Sequence, residues 1–415
     1  SKFLFILLPF SIALSSFAMD LSIVLIDIIF IYLIIKKKNF SLYFYNFYSI
    51  ISLVFCMYLI SSSLLSNNIY LSLSSSLFYI RFFIFGIAGY FILQNDKKII
   101  KFFFYSLLSI YIILFIDANI QYFINSNIIG FVPQNNRITS FFNDEAILGS
   151  FLSRNLTLLV LLFFLISLNK NLNSIYPILF IVMISWIIVI SGGRTSLIYY
   201  IIILLNLIIF IKYFRFKLLI LFSVIILFLG AVILSTDNLK NRFIYHTFDQ
   251  LSSVDNILKI SKEHNAMYQK AFVIFSENIF FGTGPKTFRI ECNNQKYTDI
   301  VLKKHSNNSQ VFISNSCSTH PHNVTLQVLS ETGIIGYAFF VLIYIFIIKN
   351  YFNFIKNPKL ENKHYISLLF SIGLLINLFP IGPSGNIFHN WLSAITFLPI
   401  PFYFYSINYF RINKV

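Results

Sequence analysis

The chain is 415 residues long, 57% hydrophobic and only 11% charged, with a net charge of +16. That composition excludes a soluble globule of ordinary make-up and predicts an all-α polytopic integral membrane protein. The positive charge sits largely in short loops between apolar runs, so it is a topological signal and gives no reason to expect nucleic acid as a partner.

Crossing a hydrocarbon core about 30 Å thick takes roughly 20 mainly apolar residues. Twelve runs approach that length: about 3–19, 21–35, 41–65, 70–93, 102–118, 147–168, 174–191, 195–211, 218–235, 323–348, 365–382 and 391–409. With the N-terminus inside, the inner loops collect Lys36, Lys37 and Lys38, then Lys97, Lys98 and Lys101, then Lys170, then Lys212, Arg215 and Lys217, and later Lys349, Lys356, Lys359, Lys363, Arg411 and Lys414. The short outer loops are nearly free of lysine, so an even number of spans with both termini inside satisfies the positive-inside rule. The first run has no small-residue cleavage site before the second begins, so no cleavable signal peptide is expected. The chain thus divides into nine spans over 1–235, one large outer loop over 236–322 and three spans over 323–415.

In chain order, the first three spans read as lipid-facing scaffold, with Asp27 as a packing or helix-pairing residue. Arg81, within the fourth run, is costly at membrane depth unless it faces a partner or cavity; anion binding is the default expectation and snorkelling to the headgroups the alternative. After the fifth run, Asp117, Gln121, Arg137, Asp144 and Glu145 either line a polar vestibule or belong to a solvated hairpin whose opposite charges pair. The turn Ser191-Gly192-Gly193-Arg194 holds a guanidinium near the outer interface without a flexible tether, in a form suited to two phosphate oxygens.

The 236–322 segment is the one extended hydrophilic region of the sequence and predicts a small, partly helical layer outside the membrane. Gly282-Thr283-Gly284-Pro285-Lys286-Thr287-Phe288-Arg289 is a glycine-rich turn whose backbone N–H groups, with Lys286 and Arg289 beside them, suit a diphosphate. It lacks the lysine and hydroxyl spacing of a nucleotide P-loop, which rejects that reading. Cys292 and Cys317 lie in the same segment, and in an oxidising compartment they are expected to pair across 24 intervening residues, stapling the Arg289 stretch to the histidines that follow. His320-x-His322 has neither zinc-site spacing nor a carboxylate cluster, so no metal is expected.

Where this segment meets the next apolar run stands Thr319-His320-Pro321-His322-Asn323. Asn323 suits an N-cap, and Gln327 and Glu331 follow at four-residue spacing on one helix face. The positive end of a helix disfavours imidazolium, so His322 is expected to be neutral and able to accept a proton. The alternative is a pair of loop histidines before an ordinary cap. Gly333 and Gly336 either allow close helix packing or mark a turn. The stretch from Pro380 to Trp391, with His389, reads as an outer lining loop or a membrane anchor.

The run His322-Asn323, nine residues, Gly333, two residues, Gly336 resembles the signature of the O-antigen ligase and polymerase superfamily. The Asp117–Gln121, Arg137–Glu145, Ser191–Ser196, Gly282–Arg289 and Cys317–Asn323 stretches are similar as well, over about 75–395. One departure is Ile198, where the ligase pattern has leucine four residues after its arginine. The resemblance implies a GT-C-type membrane glycosyltransferase fold in the bacterial inner membrane, with its active site at the periplasmic face and no cofactor or metal. It implies an undecaprenyl-diphosphate-linked oligosaccharide as donor and, in a polymerase, as acceptor, with membrane lipid and a chain-length regulator as further partners. Arg194 and Arg289 would hold the diphosphate, supported by Arg81 and Arg137, and His322 would act as base or orient the acceptor beside His320. Asp117, Gln121, Glu145, Lys286, Asn323, Gln327 and Glu331 are the accompanying substrate-binding candidates. Polymerase is the preferred expectation and ligase the alternative; a lipid-linked oligosaccharide flippase is the competing class, disfavoured by polar groups gathered at one face.

Overall fold

The computed structural model describes residues 1–167, 175–211, 215–252, 262–302, 317–356 and 362–408, and among these it is all-helical. The helices are α1 (Lys2–Leu14), α2 (Ser16–Lys36), α3 (Phe40–Phe44), α4 (Phe47–Leu64), α5 (Ile69–Ser76), α6 (Ile80–Asn95), α7 (Lys98–Ile124), α8 (Leu148–Ser167), α9 (Ile175–Ile190) and α10 (Arg194–Phe210). There follow α11 (Arg215–Ser235), α12 (Asp237–Lys240), α13 (His246–Ser252), α14 (Lys262–Glu277), α15 (Phe288–Glu291), α16 (Gln295–Leu302), α17 (Val324–Lys356), α18 (Asn362–Asn377), α19 (Asn390–Phe397) and α20 (Ile400–Ile407).

Among the described residues, seven helical stretches are long and apolar enough to cross a membrane: 16–36, 47–64, 69–95, 98–124, 148–166, 215–235 and 324–356. Four more apolar helices are shorter, at 2–14, 180–190, 194–210 and 364–377. The protein is therefore a multi-pass membrane protein on helix length and composition. Twelve spans were expected and seven helices reach spanning length among the described residues; the runs also differ from the helices in detail. The third begins with the separate α3, because Asn46 breaks the chain and caps α4 through Ser49 N–H. The last divides at Pro399, which has no N–H to continue the preceding helix. The fifth extends well past 118, to Ile124, because the polar residues at its end find hydrogen-bond partners in the following loop.

One apolar core runs through the bundle, with α8 against α18, α6 against α20, and α1 against α2 and α7. A smaller core, including Ala271, Ile274, Phe288, Cys292 and Tyr297, joins α14, α15 and α16 into a cap. That cap rests on α17. Hydrogen bonds from Tyr58, Ser62 and Ser66 to the 280–283 backbone stitch it to the end of α4. Arg81 to Asp20, Arg137 to Ser191 and Arg154 to Asn377 tie further helix ends together at the same end of the bundle.

Candidate functional site

The site starts from a broken helix. Within α17, Gly333 has φ 64° and ψ −170°, a region open in practice to glycine alone. The break lets Ile334 N–H donate to Ile279 carbonyl at 2.8 Å, while Thr283 and Gly284 N–H donate to the Ser330 and Glu331 carbonyls at 3.0 and 2.8 Å. A side chain on Gly333 would strike the Phe280–Phe281 backbone, and one on Gly282 would strike Glu331. Gly336 instead makes room for the Thr332 side chain, so the two glycines serve different ends, one a turn and the other close packing. This corrects one expectation: the amides of Gly282, Thr283 and Gly284 all bond within the protein, so those N–H groups are not free to meet an anion.

The first turn of α17 presents the histidines. Asn323 caps it, its Oδ1 accepting from Leu326 N–H at 3.0 Å, and its Nδ2 donates to Ile381 carbonyl. His322 stands just before the cap at φ 55°. Its ring lies 4.1 Å from the His320 ring and 5.2 Å from the His264 ring, centroid to centroid, making a row of three imidazoles. His320 Nε2 faces the Ser384 carbonyl at 3.0 Å and must carry the proton, so Nδ1 accepts from Thr319 Oγ1 at 3.0 Å. Both of its nitrogens are committed. Among the described residues, His322 Nε2 meets Ser318 Oγ at a looser 3.3 Å, and the ring also lies against the Ser384 backbone. Burial first, and the neighbouring His322 second, push His320 down to about 3. Burial, and then His264, push His322 down to about 4, so both rings are neutral near pH 7.

The lining loop 380–389 fixes this row. Ser384 N–H donates to His322 carbonyl at 2.8 Å, while its own carbonyl receives His320. Ser384 is in turn held by Arg154, which is 3% exposed. Arg154 also donates to the Ile376 and Asn377 carbonyls at the end of α18, and its guanidinium lies 5.0 Å from the Tyr199 ring centroid. A buried arginine whose donors meet carbonyls and hydroxyls braces the backbone with its fixed fork of N–H groups.

Cations stand on both sides of the row. Around the Gly192-Gly193 turn, Arg137 donates to Ser191 carbonyl at 3.2 Å, Arg242 to Gly192 carbonyl at 3.3 Å and Arg194 to Thr247 Oγ1 at 3.2 Å. Burial, then Arg242 and Arg194, pull Arg137 down to about 10. His264 is lowered by burial and by Arg194. Lys286 and Arg289 lie on the other side, and burial followed by the Arg289 charge lowers Lys286. Among the described residues, none of these five cations has a carboxylate within 4.0 Å.

Other candidates occupy different roles from those expected. Arg81 has a counter-ion, Asp20, at 3.2 Å, and stands in the first turn of α6. Asp117 and Gln121 are fully buried, which overturns an open vestibule. Asp117 accepts from Ser140 Oγ and Ile128 N–H, and Gln121 Oε1 from Thr139 and Ser140 N–H, so they pin the loop that carries Arg137. Gln327 and Glu331 are also fully buried. Gln327 bridges Glu331 and Asn386, and Glu331 Oε1 accepts from Phe288 N–H, which makes the pair a brace between cap and lining loop and removes them from direct contact with a substrate. Glu145 and Asp144 are exposed at the rim. Cys292 and Cys317 are joined as a disulfide, with Cα atoms 5.7 Å apart.

Sequence reasoning missed Asp20, Arg154 and His264, and left Arg242 without a role. Arg154 had a usable signal, being a charge inside an apolar run. His264 had none, since only the packing of α14 against α17 brings it to His322.

Residues 178–341 match the family described as O-antigen ligase. No curated protein matches the chain. The matched stretch includes Arg194, Arg242, His264, Arg289, His320 and His322.

Proposed function

We propose that the chain, whose residues 178–341 match the family described as O-antigen ligase, belongs to the O-antigen ligase and polymerase superfamily and is an O-antigen polymerase of GT-C type. In this reading it lies in the bacterial inner membrane with both termini cytoplasmic and its site facing the periplasm. It transfers a growing glycan from undecaprenyl diphosphate to a sugar hydroxyl of another lipid-linked repeat unit.

The observation that carries this reading is the position of His322: neutral, with a loosely held ring nitrogen, between groups of cations that, among the described residues, have no carboxylate within 4.0 Å. In the transfer, the acceptor hydroxyl oxygen bonds to the anomeric carbon as the bond from that carbon to the diphosphate oxygen breaks. The bonding pair leaves with the diphosphate, and the hydroxyl proton passes to His322. Attack opposite the leaving group inverts the anomeric centre. A general base of this kind contributes typically about 10²–10⁴-fold. Fixed guanidinium and ammonium groups stabilise the charge that grows on the leaving diphosphate, with no rearrangement at the moment of reaction, so the chain's own cations do the work that other transferases assign to a metal.

The second reading is a ligase that uses lipid A core as acceptor, favoured by the description of the matched family. Purified protein with a lipid-linked repeat unit, with and without lipid A core, separates the two. A glycan ladder made without core, and lost in His322→Ala and Arg194→Ala, is expected. Transfer only with core present establishes the ligase, and no transfer in either case, with a competent control enzyme, returns the flippase.

A further inference from the structure

We propose that the turn at residues 279–281, Ile279-Phe280-Phe281, is a re-entrant wedge: the cap enters the membrane between α4 and α17 and lays these three side chains among the acyl chains of the leaflet on its side. The inference rests on the multi-pass fold and is independent of the transfer chemistry.

The depth follows from the helices that the turn touches. Gly333 breaks α17, so its unbroken apolar part begins at Ile334, and Ile334 N–H donates to Ile279 carbonyl at 2.8 Å. The 18 residues of α4 measure about 27 Å at helical rise, close to the thickness of the hydrocarbon core. Within α4, Ser62 Oγ donates to Phe281 carbonyl at 2.9 Å and Tyr58 Oη to Phe280 carbonyl at 3.3 Å. Ser62 and Tyr58 stand two and six positions before the last residue, Leu64, or about 3 and 9 Å below the helix end. Helical side chains lean toward the N-terminus, which here points away from the cap, so the Tyr58 hydroxyl does not climb back toward the rim. That is the depth at which amphipathic elements lie in a leaflet, about 5–10 Å into the boundary between headgroups and acyl chains.

Backbone and side chains both suit that place. Irregular backbone at membrane depth is tolerated only where the protein itself meets its polar groups. The Ile279, Phe280 and Phe281 carbonyls all receive donors from α17 or α4, and the Gly282, Thr283 and Gly284 N–H groups are taken as well. The side chains are the reverse of those on a solvated turn. Phe280 is 65% exposed, with Ile279 and Phe281 at 47% and 43%. Three bulky apolar residues in a row thus continue the apolar surface of α17, where Ile334 and Ile335 are also exposed. That continuity with a spanning helix selects lipid as the occupant. Gly282 and Gly333 serve the insertion, since each lets the wedge approach α17 where a Cβ would collide with backbone. The wedge thereby fixes how high the cap rides on the leaflet.

The test measures depth by spin labelling of the full chain in vesicles of phosphatidylethanolamine and phosphatidylglycerol. With the free thiol removed by Cys56→Ala and the Cys292–Cys317 disulfide left intact, a nitroxide is attached to Phe280→Cys or, as the aqueous reference on the same cap, to Asp299→Cys at an exposed position. Collisions with oxygen, which concentrates among acyl chains, and with a nickel chelate, which stays in water, report the depth. The ratio of oxygen to nickel collisions at 280 is expected to be several-fold above that at 299. Equal ratios place the turn in water and overturn the inference. Few collisions with either reagent at 280 mean that protein covers the turn, a second copy or another segment, and overturn it as well. A second measurement needs no substitution. Wild-type protein in the same vesicles, doped with a phospholipid carrying a diazirine in mid-chain, should after irradiation carry lipid adducts on residues 279–281 and none on 295–302, and adducts confined to the spanning helices contradict the wedge.

Discussion

Arg154 Nη2 donates to Ser384 Oγ at 3.2 Å, and through Ser384 it holds both histidines of the α17 turn. Arg154 is therefore a positioning residue. Arg154→Lys keeps the charge and loses the fork, and small misplacements of a reacting group cost about 10²-fold. The expected result is a fall of that order in kcat with KM for the lipid-linked unit unchanged. A matching rise in KM would mean that Arg154 meets the substrate itself.

The two neighbouring histidines should respond unequally. His322→Asn removes the nitrogen that accepts the proton, and a loss on the order of 10²–10⁴-fold in kcat is expected. His320 has both nitrogens occupied. His320→Asn should therefore act through placement, costing about tenfold while leaving the acid limb of the pH profile unmoved. Turnover of the two variants across pH distinguishes base from support.

Acid should stop the reaction late and then loosen the site. His322 acts in its neutral form, and burial lowers it to about 4, so kcat should hold down to pH 5 and fall through pH 4, not through the ordinary histidine range. For stability the sign follows from His320, lowered to about 3. Above about 6.5 both folded and unfolded rings are neutral; below it the unfolded chain takes up the proton first, so stability falls as pH drops from about 6.5 toward 3. Melting curves in detergent at pH 7, 5 and 4 measure this directly, and a constant midpoint would contradict it.

Gly333→Ala places a Cβ against the Phe280–Phe281 backbone at a left-handed φ. Strain and overpacking together cost on the order of 2–6 kcal/mol. The expected outcome is a cap that detaches from α17, read as rapid proteolysis between 262 and 302. Gly230→Ala, which meets open space, should behave like the wild type.

The Cys292–Cys317 disulfide closes a loop with a sequence separation of 25, which by chain entropy is worth about 3–4 kcal/mol to the cap. Cys317→Ala or reduction should lower activity and accelerate cap proteolysis together, with α8 and α18 amides staying protected in hydrogen exchange. Loss of protection throughout the bundle would place the bond's effect elsewhere.

Helix positions were legible in the sequence because apolar runs must satisfy their own backbone in lipid. The Asn323 cap was legible because local geometry demands that residue type, whereas the two glycines of α17 stood out without showing which one turns the chain and which allows close packing. Buried polar partners were not. Asp117, Gln121, Gln327 and Glu331 look like ligands in sequence, since polar groups amid apolar ones invite that reading, but each meets backbone N–H groups or another side chain from a distant segment. Arg81 likewise meets Asp20 from 61 residues away. Such pairings depend on which helix ends become neighbours, and spacing along one chain does not carry that information.

Ser384 is the residue on which both histidines wait, and Tyr58 donates to a carbonyl 274 residues further on, at Thr332. A chain leaving the ribosome inserts α1 to α18 before Ser384 is available, so its imidazoles have no fixed orientation until nearly the last helices are made. Contacts of such sequence separation form late. In the proposed reading, biosynthesis thereby acts as a timer: a half-made chain meets the activated lipids of its own membrane without the geometry to cleave them, and competence arrives only when the finished bundle closes.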